Sequence, residues 1–192
     1  MKKKSIHRPY YNNILNKEHN RYKLIDSQYY NLFIKDTDRV LDVGAGDGLF
    51  SKYLKGIYRG IDIDPVVNIK NVEKKTIFDI ENEIINNKIK HYNIILFNHV
   101  IEHLLNVGDT LKCAYNCLKT KGYILIQVPY FTENIAFTAS GHFNLFNEIT
   151  LIRLLNEYKF KIIEYYTMNI TNTFSKQKLY FKEGILVIVG QK

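Results

Sequence analysis

The sequence predicts one α/β domain, a doubly wound, mostly parallel seven-stranded sheet with helices on both faces. Three observations carry this. From residue 38 onward, apolar runs of strand length alternate with segments of helical periodicity. The run Tyr92–Asn98 (YNIILFN) is almost continuously apolar, as a central strand buried on both faces must be. The short apolar strand Arg39–Val43 runs directly into Gly44, Gly46 and Gly48, and doubly wound sheets bind ligands at such strand-to-helix turns.

Taken in order, residues 1–37 are polar and Tyr-rich and predict two short helices, near 10–20 and 24–35. They form an N-terminal helical cap on the domain that occupies 38–192. After β-strand Arg39–Val43, Leu49–Leu54 opens a helix ended by Gly56. Ile57–Ile63 is the second strand, Lys75–Phe78 a weaker third and Tyr92–Asn98 the fourth. A helix at about 107–119 is stopped by Gly122, and the strand Tyr123–Val128 is ended by Pro129. An irregular stretch, 129–147, is rich in aromatic and small polar residues. Glu148–Tyr158 is an amphipathic helix with Ile149, Ile152 and Leu155 at helical spacing. Lys161–Tyr166 and Gly184–Val189 are the last two strands, joined by a polar loop.

The composition, 46% hydrophobic and 24% charged over 192 residues, suits one globular core. No apolar run approaches the roughly 20 residues that span a bilayer. The basic amino terminus lacks the apolar region of a secretory signal, so a cytoplasmic location is the expectation. Cys113 and Cys117 fall on one helical face and read as reduced, buried thiols. The net charge of +8 invites a polyanionic partner. The lysines are spread among abundant Asn, Ile and Tyr, a mixture that A/T-rich codons also produce.

The glycine turn reads VLDVGAGDG. Its spacing is G-x-G-x-G, and an acidic residue, Asp42, precedes it on the strand. A carboxylate there would repel a dinucleotide pyrophosphate but suits the ammonium of a bound amino acid. About twenty residues on, GIDIDP closes the second strand, and a carboxylate at that place accepts hydrogen bonds from ribose hydroxyls. Asp62 fills this role, with Ile63 packing on a purine.

With these residues in place, the chain resembles the class I S-adenosylmethionine-dependent methyltransferases, especially the small branch that includes the ubiquinone-biosynthesis O-methyltransferases. The resemblance covers roughly residues 35–166. It rests on VLDVGAGDG, GIDID, Phe78-Asp79, NIILFNHVIEHL at 93–104 and GHFNLFNEITLIRLLNEYKF at 141–160. It implies a Rossmann-like methyltransferase fold with S-adenosylmethionine as cofactor. It also implies Asp79 at the adenine amino group, and Asn98 with His99 beside the methyl. One departure is Lys159, where the family usually has Gly before Phe.

Methyl transfer is an in-line displacement whose largest need is alignment, worth roughly 7–11 kcal/mol. A general base adds typically 10²–10⁴-fold. The candidate bases are His99, His103 and His142, with Glu102 beside them. Imidazole suits deprotonation of a hydroxyl near neutral pH. His103, His142 and Glu102 are expected on the acceptor side, with no metal. Tyr130, Phe131, Phe137, Phe143 and Phe146 would line the acceptor pocket or pack the lid, and Tyr10, Tyr11, Tyr22, Tyr29 and Tyr30 would close it or lie on the sheet. The expected acceptor is a small molecule, most readily a hydroxyl, with nucleic acid possible but not favoured and no membrane partner. Two alternatives stay open. The turn also resembles that of small-RNA 3′-terminal 2′-O-methyltransferases, which implies a divalent metal on Glu102, His103 and His142. A non-catalytic cofactor-binding module is the other.

Overall fold

A computed structural model describes residues 26–65, 71–86, 91–131, 142–171 and 182–192. Seven strands form one sheet: β1 (Arg39–Val43), β2 (Ile57–Asp62), β3 (Val72–Lys74), β4 (Tyr92–Asn98), β5 (Leu118–Phe131), β6 (Lys161–Thr171) and β7 (Lys182–Gln191). Their order is β3-β2-β1-β4-β5-β7-β6. β7 runs antiparallel to both its neighbours, and the other pairings are parallel. The doubly wound, mostly parallel seven-stranded sheet is therefore present as expected.

Alternation along the strands divides the core in two. Leu41, Val43, Ile95 and Phe97 face one side with the helices α1 (Ile77–Ile85), α2 (Val107–Cys117) and α3 (Glu148–Glu157). Val40, Ile94 and Leu96 face the other, beneath Tyr30, Ile34, Phe50 and Leu54. These three helices thus share one face. The second face is covered by residues 26–34, of which 26–30 are helical, and by a 3₁₀ turn, Leu49–Lys52. The predicted helix near 10–20 lies outside the described residues.

Several boundaries differ from the sequence reading for physical reasons. The expected helix at 49–54 is only that 3₁₀ turn. Residues 49–56 must descend the height of β1, about 17 Å at strand rise, and as an α-helix they would cover only about 12 Å. The weak third strand at 75–78 is displaced: β3 lies earlier, and Thr76 caps α1. The Thr76 hydroxyl accepts from Asp79 N while the Asp79 carboxylate accepts from Thr76 N, a reciprocal capping box. On α3, Leu151 and Leu155 are buried and Ile149 is 65% exposed, so the apolar face is rotated from the one expected.

β5 continues through Pro129 to Phe131. Gln127 O accepts from His99 N on the β4 side, and Pro129 lies two residues on, facing the same way. β4 has ended there, so the missing N–H removes no ladder bond. Both cysteines are buried as expected, and the Cys113 thiol donates to Glu81 Oε2 at 2.8 Å. No helix among the described residues is long and apolar enough to cross a membrane.

Candidate functional site

β1, β2 and β4 end together, and the glycine loop crosses their carboxyl ends. Gly44 N and Ala45 N both donate to Ile61 O, at 2.8 and 3.0 Å, pinning the loop to β2. Gly44 has φ 74°, and a Cβ there would stand 2.4 Å from Val100 Cγ2. Gly46 has φ 56°, but a Cβ there would meet no heavy atom within 4 Å. The first glycine is therefore required by the fold, while the second opens a cradle toward solvent. Gly48, at φ 64°, turns the chain into the 3₁₀ segment.

Asp62 braces this loop. One of its carboxylate oxygens accepts from Gly46 N at 2.9 Å and the other from Asp64 N at 2.8 Å. Ile63, beside it, is 73% exposed and presents an apolar surface next to the cradle. Asp42 lies below the loop, 1% exposed, and accepts from the Tyr58 hydroxyl at 2.7 Å. Burial, with Asp42 second, holds the Tyr58 hydroxyl well above its ordinary range. Asp42 therefore offers the loop its field and almost no surface. Asp79 is exposed, with its carboxyl held below the usual range by Thr76 N and Oγ1.

At the end of β4 the chain makes a tight turn. His99 has φ 55°, which is uncommon for a residue with a side chain and stores strain at the site. Asn98 donates to the Tyr30 hydroxyl at 3.0 Å, and Tyr30 donates to Gln127 Oε1 at 2.6 Å. Gln127 Nε2 stands 3.2 Å from His99 Nε2. The amide nitrogen can only donate, so His99 Nε2 accepts and its proton sits on Nδ1. That nitrogen is 3.4 Å from Glu102 Oε1.

Glu102 is the acid at the centre, 1% exposed on the 3₁₀ turn Ile101–His103. Among the described residues neither of its carboxylate oxygens has a hydrogen-bond donor in good geometry. His103 Nε2 lies 3.9 Å from Oε1, and the His103 and His142 rings stack edge-on at 4.6 Å. One ligating atom from each of Glu102, His103 and His142 falls within 4.8 Å of the others. Backbone holds His142 there: Phe143 N and Asn144 N donate to Glu102 O, and Asn144 Nδ2 donates to Ile101 O and Leu104 O. A buried carboxylate in this setting favours a neighbour that brings positive charge or a proton.

The structure thus places two groups on one mouth: Asp42, Gly44, Gly46, Gly48, Asp62 and Ile63 around the loop, and Asn98, His99, Glu102, His103 and His142 around the β4 turn. Of the pocket aromatics, Phe143 is 60% exposed, Tyr130 bridges Phe146, and the Phe131 side chain and Phe137 lie outside the described residues. Tyr30 is 0% exposed, and Tyr29 packs edge-on to Tyr166 at 4.8 Å. Tyr10, Tyr11 and Tyr22 are not among the described residues. Gln127 and Asn144 were not legible in the sequence, since each acts through a partner about 30 or more residues away. An open groove between α3 and β6, lined by Ile149, Ile152, Arg153 and Tyr165, carries none of these residues.

The profile of a family described as "Methyltransferase domain" matches residues 17–165. The mitochondrial ubiquinone biosynthesis O-methyltransferase of Bos taurus is 29% identical over 123 residues, 51% of this chain and 33% of that protein. The chain therefore spans about a third of the length of this relative. A SAM-dependent methyltransferase from Archaeoglobus fulgidus superposes with a TM-score of 0.71 at 17% identity, covering 98% of this chain and 100% of the other. A Burkholderia thailandensis 1,6-didemethyltoxoflavin-N1-methyltransferase, solved with that compound and S-adenosylhomocysteine, gives 0.64 at 15%, covering 97% and 83%. At these identities the two structures show the shared fold. The chain belongs to the methyltransferase-domain family, whose methyl donor is S-adenosylmethionine.

Proposed function

We propose that this family member moves a methyl group from S-adenosylmethionine to the hydroxyl of a small-molecule acceptor. The observation that carries the reading is the buried Glu102 among His99, His103 and His142, beside a glycine loop with an open cradle at Gly46. The cofactor supplies a methyl activated by its sulfonium. Gly44, Gly46 and Gly48 let backbone approach it, Asp62 receives its ribose hydroxyls, Ile63 packs on its adenine and Asp79 stands at the rim. Asp42 contributes a negative field under its ammonium, and Asn98 with His99 line the methyl.

When bound, the donor would supply a methyl carbon that an acceptor oxygen could displace from sulfur, with sulfur keeping the electron pair of the broken bond. The hydroxyl proton passes to His103 or His142, and Glu102 stabilises the resulting imidazolium. Asp62, Asp64 and Asp79 outnumber the exposed Lys74 that pairs in register with Asp62, and this balance favours the cationic donor and disfavours a phosphate-rich acceptor at this mouth.

A second reading is favoured by the Glu102–His103–His142 proximity: a divalent ion held there, assisting methylation of an RNA ribose hydroxyl. Two imidazoles suit manganese, cobalt or zinc better than magnesium. The test is tritiated-methyl transfer to a small-molecule extract and to RNA, each with and without EDTA. Label in the small-molecule fraction that survives EDTA is the expected result. Label in RNA alone, and only with metal, would replace the first reading by the second.

A further inference from the structure

We propose that the end of the sheet opposite the glycine loop is a docking surface for a nucleic-acid phosphate backbone. The topology assembles this end from remote parts of the chain. β1, β2, β4, β5 and β6 all begin there, and β7 ends there, with Gln191 paired to both Tyr123 and Lys161. Lys121 N donates to Lys192 O, and Ile57 N donates to Asp38 O, which closes the same end around β1 and β2. Among the described residues, Lys35, Lys55, Lys119, Lys121, Lys159 and Lys161 are exposed around it. The exposed carboxylates beside them are Asp36 and Glu157. Lysines that look scattered in the sequence therefore form one cationic rim.

Backbone geometry adds an independent observation. Lys121 has φ 63° and Lys159 has φ 65°, left-handed conformations in which a Cβ costs stability and glycine does not. Lys121 occupies the turn that starts the main part of β5. Lys159 ends α3, where Phe160 N donates to Leu155 O in the manner of a helix C-terminal cap. Both turns lie at this end of the sheet, and both carry lysine where glycine would fold more easily. The charge is present against the local preference of the backbone.

The chemistry of the rim points to phosphate. Protein interfaces are depleted of lysine, and lysine is the charged residue this rim exposes most. Compact ammonium groups on long stems suit the repeated charges of a nucleic-acid backbone, read without sequence preference. The length of β4 puts about 20 Å between this rim and the acidic mouth. Nucleic acid docked here is held away from the methyl-transfer site, so this surface is independent of which acceptor is methylated.

Fluorescence anisotropy of a labelled 20-nucleotide oligouridylate with the full chain tests this, at salt concentrations from 50 to 300 mM. We expect binding whose log K falls linearly with log salt, by about 0.7 per phosphate contacted. Lys121→Gly/Lys159→Gly should melt at the same temperature or higher, because glycine suits both backbones, yet bind RNA several-fold more weakly with a slope shallower by about 1.4. Lys55→Gln/Lys161→Gln, which leaves both turns intact, should weaken binding likewise. S-adenosylmethionine affinity by calorimetry should stay unchanged in both variants. Absence of salt-dependent RNA binding by the wild type, or equal affinity in both variants, would overturn the proposal. So would lysine-dependent binding to phosphatidylserine vesicles with none to RNA.

Discussion

Two glycines of the loop separate fold from ligand binding at the scale of single residues. A methyl at position 44 would collide with Val100 Cγ2 at 2.4 Å and sit on a φ of 74°. Overpacking of this kind costs typically 1–3 kcal/mol, and the left-handed backbone about 1 kcal/mol more. A methyl at position 46 collides with nothing and carries only the backbone cost. Gly44→Ala should therefore lower the melting temperature clearly and weaken cofactor binding with it. Gly46→Ala should melt close to wild type and lose at least tenfold in S-adenosylmethionine affinity, because its methyl fills the cradle. Thermal melts and calorimetry on both variants check this, and equal cofactor affinity in Gly46→Ala would show that the ligand lies elsewhere. The three glycines were legible because their chemistry is local. Which one serves packing was not, because Val100 arrives from the end of another strand.

Between elements, an ion cluster fixes β2, β3 and α1. Arg59 donates to Glu73 at 2.6 Å and to Glu83 at 3.1 Å, and Lys75 pairs with both acids. The Arg59 hydrogen bond, ahead of the opposing effect of burial, lowers the Glu73 carboxyl to about 2. A carboxyl whose value is depressed by folding stabilises the fold above its unfolded value of about 4.3. That contribution is lost as pH falls through about 2. Glu73 is 43% exposed, so solvent screening keeps the effect modest. The melting temperature of the wild type should exceed that of Glu73→Gln near neutral pH, with the gap closing between pH 4.3 and 2; a gap independent of pH would show that Glu73 acts by packing. The same region shows where sequence reasoning stops. The run KKTIFDI has a strand-like composition, yet Thr76 and Asp79 are three apart and form a helix cap that outweighs it. Tyr92–Asn98 was legible to the residue, since a strand buried on both faces leaves an almost continuous apolar run. The α3 face differs from the sequence reading because Ile149 and Leu151 both belong to plausible apolar stripes, and the packing of the helix on the sheet buries Leu151 and leaves Ile149 exposed.

Across the whole molecule, the sheet joins a cationic end to an acidic mouth, and one buried chain of hydrogen bonds links the mouth to the amino-terminal segment. Tyr30 packs with Ile34 over Val40, Leu96 and Val187, and its hydroxyl meets Asn98 and Gln127, residues 68 and 97 positions away. Gln127 in turn holds His99 at the site. A ligand that orders the β4 turn should therefore also order residues 26–34, since both depend on the same buried contacts. Hydrogen exchange with and without S-adenosylhomocysteine should show slower exchange at 42–48, at 98–103 and in 26–34. Tyr30→Phe keeps the ring but strips Gln127 Oε1 and Asn98 Nδ2 of a buried partner, a loss of about 1–3 kcal/mol. In that variant, protection at 42–48 should persist, because the glycine loop makes its own bonds to β2, while the ligand-dependent slowing in 26–34 should disappear. Equal slowing of 26–34 in the variant would mean that Tyr30 contributes packing alone and that the amino-terminal segment does not respond to the site through this chain.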